Sequence, residues 1–233
     1  MPARPATEQV RLVEVLGHLP HASNTTVLAA AEDGGLWVYK PVAGEQPLWD
    51  FGWQTLAARE VLTFEVADAM GMPIVPVTLP AQGPYGPGSA QRFLDEDEDW
   101  DPRPMFRPVL DPVLWSVAVL DVVTNNADRK LGHLLRDRPS GRVYAIDNGL
   151  TFHPAPKLRT VLWGFAGEPL PVEHVERLER LLRALDAGLQ DRVASMLGRA
   201  EATALAARTS DLLSRPEHPY PPDDRPAVPW PVW

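Results

Sequence analysis

Four side chains of this 233-residue chain could do chemistry together. Lys40 closes LWVYK, a run that alternates like a strand, and Glu60 follows in LAAREVL on a helical stretch. Asp128 lies in NNADRK, where an apolar helix gives way to irregular backbone, and Asp147 ends the strand-like VYAID. A fixed ammonium, a carboxylate to steady it and two carboxylates at element edges could hold a polyphosphate with its divalent cation and position an attacking hydroxyl. The other lysines are Lys130 and Lys157 alone, so a strand-end lysine here is not one of many surface cations. Taken singly, each group has a bland alternative. Lys40 could face solvent, Asp128 could close a turn, and Asp147-Asn148-Gly149 is a strong hairpin-turn signal. Read singly, the residues leave both alternatives open.

The elements that must position these groups follow from pattern. Residues 25–40 read as a hairpin turning at Glu32-Asp33-Gly34-Gly35, with Leu36, Val38 and Lys40 on one face. A helix is predicted over roughly Asp50 to Met70, stopped by Gly71 and Pro73. Two more strands, 74–79 and 89–94, flank the turn-rich PAQGPYGPG, and an acidic connector follows at Asp95–Asp99. Asp111-Pro112 opens the apolar helix VLWSVAVLDVV, and a second short hairpin spans HLLRD to RVYAID. Leucines at helical spacing predict two or three closing helices over 172–214, and the proline-rich tail from 216 cannot be regular. The expected class is α+β in two lobes. Residues 1–95 form a β-rich N-lobe with one long helix, 96–103 a connector, 104–215 a mainly helical C-lobe and 216–233 a Pro/Trp-rich tail.

Charge and composition narrow the function classes. A formal net charge of -9 is the wrong sign for a generic nucleic-acid or anionic-membrane binder, so neither partner is expected. The absence of cysteine excludes thiolate chemistry and agrees with a reducing, cytoplasmic setting. No GxxxxGK[ST] pattern occurs, and the histidines lack metal-site spacing. The start, MPARPATEQV, has no apolar segment of a leader, and membrane insertion is not expected.

The block DVVTNNADRKLGHLL…VYAIDNG, with VYKP and Arg59-Glu60 upstream, resembles the phosphatidylinositol 3-/4-kinase-like superfamily, and within it an actinobacterial branch described as kinase-like. HipA-type kinases share the arrangement more distantly. The resemblance covers most of residues 10–215. It implies a compact protein-kinase-like fold binding ATP with Mg²⁺ or Mn²⁺. Lys40 would lie on the phosphates with Glu60 as its partner, in preference to Glu65. Asp128 would be the catalytic-loop carboxylate and Asp147 the metal ligand. Ser23 and Asn24 would cover phosphate, and Arg92, Phe93 and Leu94 would line the adenine side.

Two departures stand out. His133 occupies the second metal position, where the family has Asn, and imidazole suits magnesium poorly. Lys130 replaces a family His beside the catalytic loop. The implied activity is transfer of the γ-phosphate to a hydroxyl on a protein or soluble small molecule, with Trp163 and Phe165 as acceptor contacts. Two alternatives stay open. One is AMP transfer from the same cleft, and the other a nucleotide-binding pseudokinase acting as an interaction module, with a partner docking on the tail.

Overall fold

A computed structural model describes residues 9–19, 24–103 and 112–233. In the first part, period-two alternation is satisfied by closure into a barrel. Strands β1 (Val10–His18), β2 (Val27–Ala31), β3 (Leu36–Pro41), β4 (Thr78–Gly83) and β5 (Gly86–Arg92) pair in the order β1-β2-β3-β5-β4. A parallel pairing of Val10 with Ala81 and Arg11 with Gln82 closes the ring. The inward side chains of β3 are Trp37 and Tyr39, which leaves Leu36, Val38 and Lys40 on the other face, as the alternation predicts.

Several boundaries differ from expectation. No strand is expected at β1 from the pattern of the flanking segments, although VRLVEVLGH alternates and buries Val10 and Leu12. Helix α1 runs Leu56–Ala69 and starts later than Asp50. Gln54 sits at φ 57°, outside helical space, and the helix instead begins where the Glu45 carboxylate accepts the Leu56 and Ala57 N–H groups at 3.1 and 2.8 Å. PAQGPYGPG is mostly strand, with the turn confined to Pro84-Tyr85. Its glycines make room for Tyr39: a Cβ at Gly83 or Gly88 would lie 2.9 or 2.8 Å from that ring.

The second part is built on α2 (Pro112–Thr124), apolar on nearly all sides and buried accordingly. Strands β6 (Leu134–Arg136) and β7 (Val143–Ala145) form the short hairpin. Helices α3 (Val172–Ala184), α4 (Gln190–Met196) and α5 (Arg199–Ser214) close the core, as the leucine spacing predicts. The acidic connector is more than a solvated link, because Asp97 N–H reaches the Arg136 carbonyl at 2.9 Å and Arg138 N–H reaches that of Asp95 at 2.7 Å. Among the described residues, most buried apolar side chains fall in two clusters, one inside the barrel and one around α2, and Phe64 of α1 packs against both. Residues 216–233 contain no helix or named strand and are hydrogen-bonded to Leu131, Thr160 and the 167–170 segment.

Two histidines in this second cluster carry a pH prediction. Burial, as the main cause, pushes His174 and His218 down to about 4. The unfolded chain, with imidazoles near about 6.5, binds more protons between those values. Stability from these rings is complete above that range and is lost as pH falls towards 4, at up to about 1.4 kcal/mol per pH unit for each ring. Thermal unfolding should therefore show Tm falling steeply over this window. His218→Phe, which keeps an aromatic ring against Trp115, Trp163 and Phe165, should flatten the slope.

Candidate active site

Lys40 leaves the open face of β3 and donates to Glu60 on α1 and, at 2.8 Å, to Asp147 Oδ1. The other Glu60 oxygen accepts the Asn148 N–H at 3.0 Å. Strand, helix and the segment after β7 thus meet at one cation. Burial opposes the Lys40 charge, but Asp147 and Glu60 outweigh it and hold the ammonium above its ordinary range. Lys40 in turn holds the Asp147 carboxyl well below the usual carboxylate range. Glu65, the less favoured partner, belongs elsewhere: it pairs with Arg192 at 3.1 Å.

Asp128 and Asp147 are brought to the same region by an interior knot. Asp121 is fully buried on α2 and accepts from Arg129 Nε and a terminal nitrogen at 3.0–3.1 Å, and from Asn126 at 2.9 Å. Arg129 continues to the Ile146 carbonyl at 2.8 Å and the Asn148 side chain at 2.6 Å. Burial pushes the Asp121 carboxyl up and Arg129 opposes it, the two-pronged contact being that of a charge-assisted pair. One guanidinium therefore locks α2, the Asp128 loop and the Asp147 loop together. Asp128 itself pairs with Lys130 at 3.0 Å, and burial raises its carboxyl, partly offset by that lysine. The Asp147-Asn148-Gly149 turn does not join two strands. Asp147 lies past β7 with φ 55°, a left-handed conformation uncommon for a side-chain-bearing residue.

Arg59, read from sequence only as a marker beside Glu60, is almost wholly buried. It donates to the Thr151 carbonyl and to Thr55 Oγ1, lies 3.7 Å from Glu201 and stacks its guanidinium 4.9 Å from the Phe51 ring centroid. With Thr63 Oγ1 3.2 Å from Thr151 Oγ1, three positions of α1 grip the segment that follows Asp147. The sequence assigns no role to Asp121, Asn126, Arg129 or Asn148. A lone aspartate in an apolar helix was the available signal.

The remaining sequence candidates are placed less centrally. His133 Nε2 lies 3.4 Å from Asp147 Oδ2, and burial, the largest cause, pushes the imidazole down to about 4, so it is neutral at pH 7. Asn24 uses its side-chain oxygen to accept the Gln46 N–H at 2.7 Å, tying the start of β2 to the segment after β3. Ser23 and Asp111 lie outside the described residues. Arg92 pairs with Trp37 at the far end of β3 from Lys40, its guanidinium 5.5 Å from the Trp37 ring centroid. Phe93 and Leu94 follow, half-buried, with Phe93 N–H on the Leu36 carbonyl at 3.1 Å. Trp163 donates its indole N–H to the Ala227 carbonyl at 2.8 Å. Phe165 is not available to an acceptor, because it is buried against Trp115 at 4.1 Å between centroids.

A divalent metal fits this donor set in one mode only. Among the described residues no three acidic or histidine side chains converge as a protein cage. Magnesium is usually held by one or two carboxylates and completes its shell with phosphate oxygens and water. Asp147, whose side chain is 51% exposed, offers that kind of contact.

The fold is kinase-like and α+β. The crystal structure of the Helicobacter pylori proinflammatory kinase CtkA superposes with a TM-score of 0.55 at 11% identity, over 90% of this chain and 95% of that one. The Golgi casein kinase with Mn/ADP bound gives a TM-score of 0.50 at 11% identity, over 88% of this chain and 72% of that one. Within that class the sequence is more specific. The chain belongs to the family of protein Rv2133c of Mycobacterium tuberculosis, with 38% identity over 256 aligned positions that cover 94% of this chain and 91% of that protein. No protein-family model matches the chain. Among the described residues no helix is long and apolar enough to cross a membrane.

Proposed function

We propose that the chain is a metal-dependent ATP phosphotransferase, with a barrel lobe and a helical lobe closing on the nucleotide. The observation that carries this reading is the contact of Lys40 with Glu60 and with Asp147 at 2.8 Å, because it joins the phosphate-binding cation to the metal carboxylate. Lys40 would swing onto the phosphates, steadied by Glu60. Asp147, and His133 in the second position, would hold Mg²⁺ or Mn²⁺, which supplies charge to offset that developing on the phosphate oxygens. Arg92, Phe93 and Leu94 would flank the adenine, and Ser23 and Asn24 the phosphates.

Asp128 would take the acceptor hydroxyl's proton as its oxygen bonds to the γ-phosphorus, and the β,γ-bridging bond would break to release ADP. Lys130 would offset charge beside it. A net charge of -9 favours an acceptor on a protein or soluble small molecule over a phosphoinositide in an anionic membrane. His133 supports a second reading, a nucleotide-binding pseudokinase, because a neutral imidazole in place of an oxygen ligand weakens the hold on magnesium.

A pH–rate profile tests the role of Asp128. Its carboxyl is raised by burial, so it stays protonated to higher pH than an ordinary aspartate. Transfer should fall as pH drops through a value above about 3.9. Asp128→Asn should lower the plateau by on the order of 10²- to 10⁴-fold. An unchanged rate in that variant would remove Asp128 from the chemistry. His133→Asn should raise the Mg²⁺-supported rate relative to the Mn²⁺-supported one, and equal ratios in both proteins would exclude a metal contact at 133.

A further inference from the structure

The tail is seated against the two segments that flank Asp128. Arg129, the next residue, pairs in parallel with the 159–161 segment: its N–H reaches the Arg159 carbonyl, and its carbonyl accepts from Val161 N–H, both at 3.1 Å. The tail crosses this pair of segments, from the outer edge of 159–163 at Ala227 to Leu131 at Val232. Residues 227–232 make that crossing. The Ala227 carbonyl accepts from both Thr160 N–H at 3.1 Å and Trp163 Nε1 at 2.8 Å, and the Val232 carbonyl accepts from Leu131 N–H at 2.9 Å. Trp233 abuts Gly132, where an added Cβ would lie 3.7 Å from the indole, and the Arg103 guanidinium lies 5.9 Å from the indole's ring centroid.

We infer that the surface the tail covers is the acceptor groove, that it takes an extended polypeptide, and that residues 226–233 are its resident, intrasteric occupant. The inference rests on the phosphotransferase reading above. Three features carry it. The groove's contacts to residues 227–232 are N–H groups aimed at main-chain carbonyls, which is how an extended peptide is captured irrespective of its sequence. The occupant cannot react, because residues 221–233 contain no serine, threonine or tyrosine. Of its residues only Pro229 is buried, while Trp230 and Trp233 remain 88% and 58% exposed, so displacement uncovers a limited apolar surface.

Two full-length variants test this. In the first, residues 226–233 are replaced by a Gly-Ala octapeptide, and binding of a fluorescent peptide of sequence DRPAVPWPVW is measured by anisotropy. The tethered tail competes at about millimolar effective concentration. The native chain should therefore bind the peptide at least about tenfold more weakly than the replaced chain. Trp163→Phe in the replaced chain removes one donor and should weaken binding about two- to tenfold. In the second, Gly132→Cys with Trp233→Cys gives the cysteine-free chain one disulfide that locks the tail down. Label transfer from γ-labelled ATP to casein should fall at least tenfold on oxidation, return with dithiothreitol, and exceed the native rate in the tail-replaced chain.

A replaced chain that ignores the peptide, or a locked chain that transfers at its reduced rate, overturns the inference. So does a tail-replaced chain slower than native, which would make the tail a positioning strap. Absence of transfer in every variant is a failure of the phosphotransferase reading, and the binding measurement, which needs no catalysis, still decides whether the tail occupies a peptide groove.

Discussion

Asp147→Asn should cut γ-phosphoryl transfer by on the order of 10²–10³-fold, comparable to removing one preorganised electrostatic contact from a transition state. The chain should stay folded. The Asp147 side chain is 51% exposed, and an ion pair at that exposure contributes about 0–1 kcal/mol. Lys40 retains Glu60, and the Asn148 N–H retains its Glu60 acceptor, so the elements around the cation stay joined. The loss should appear in metal-dependent nucleotide binding: calorimetry of ATP with Mg²⁺ should show a large drop in affinity, and ATP with EDTA a small one. Equal affinity for Mg·ATP in both proteins would mean that Asp147 is only the counter-ion of Lys40.

The largest expected effect on stability lies at Arg129. Arg129→Ala leaves the Asp121 carboxylate buried without its cation and deprives Asn148 and the Ile146 carbonyl of their donor. Breaking a buried pair from one side costs about 3–5 kcal/mol, a fall of about 6–20 °C in Tm for a chain of this size. Removing both charges is a different operation. Asp121→Leu with Arg129→Met should recover most of the lost Tm, since a buried pair replaced by apolar groups of similar volume is often neutral. Transfer should not recover with it, because the side-chain bridge from Arg129 to Asn148 is gone and the Ala127 N–H to Leu150 carbonyl bond, at 2.8 Å, is left to join the two loops. A double variant as unstable as Arg129→Ala would mean that the polar contacts themselves, and not the uncompensated charge, hold the loops.

What sequence reveals here divides by range. Lys40, Glu60, Asp128 and Asp147 stand out because each is a charged side chain at the edge of a patterned element, and the structure gathers Lys40, Glu60 and Asp147 into direct contact. The leucine spacing of α3 and the alternation of β3 were equally readable. The knot beneath the site was not. Asp121 showed only as an interruption of an apolar helix, and Arg129 as a neighbour of Asp128, since their mutual contact and the one to Asn148 depend on how three segments cross. Helix α1 begins late because its cap comes from Glu45, eleven residues before Leu56 and outside any local capping pattern. Phe165 looked accessible in LRTVLWGFAGEPLP and is core, because burial on an irregular segment leaves no periodicity to read. The tail's composition excluded regular structure without indicating that main-chain carbonyls would seat it against Leu131 and Thr160.

The most direct measurement is label transfer from ATP carrying radioactive phosphorus at either the γ or the α position, with Mg²⁺ or Mn²⁺, using the native chain beside Asp128→Asn and Asp147→Asn. Protein-bound or acceptor-bound label is expected from γ-ATP alone, at a rate strongly reduced in both variants. Label from α-ATP would contradict phosphoryl transfer in favour of AMP transfer. No transfer from either position, with ATP bound equally well by the native chain and Asp147→Asn, would contradict the assignment of this site to phosphoryl chemistry altogether.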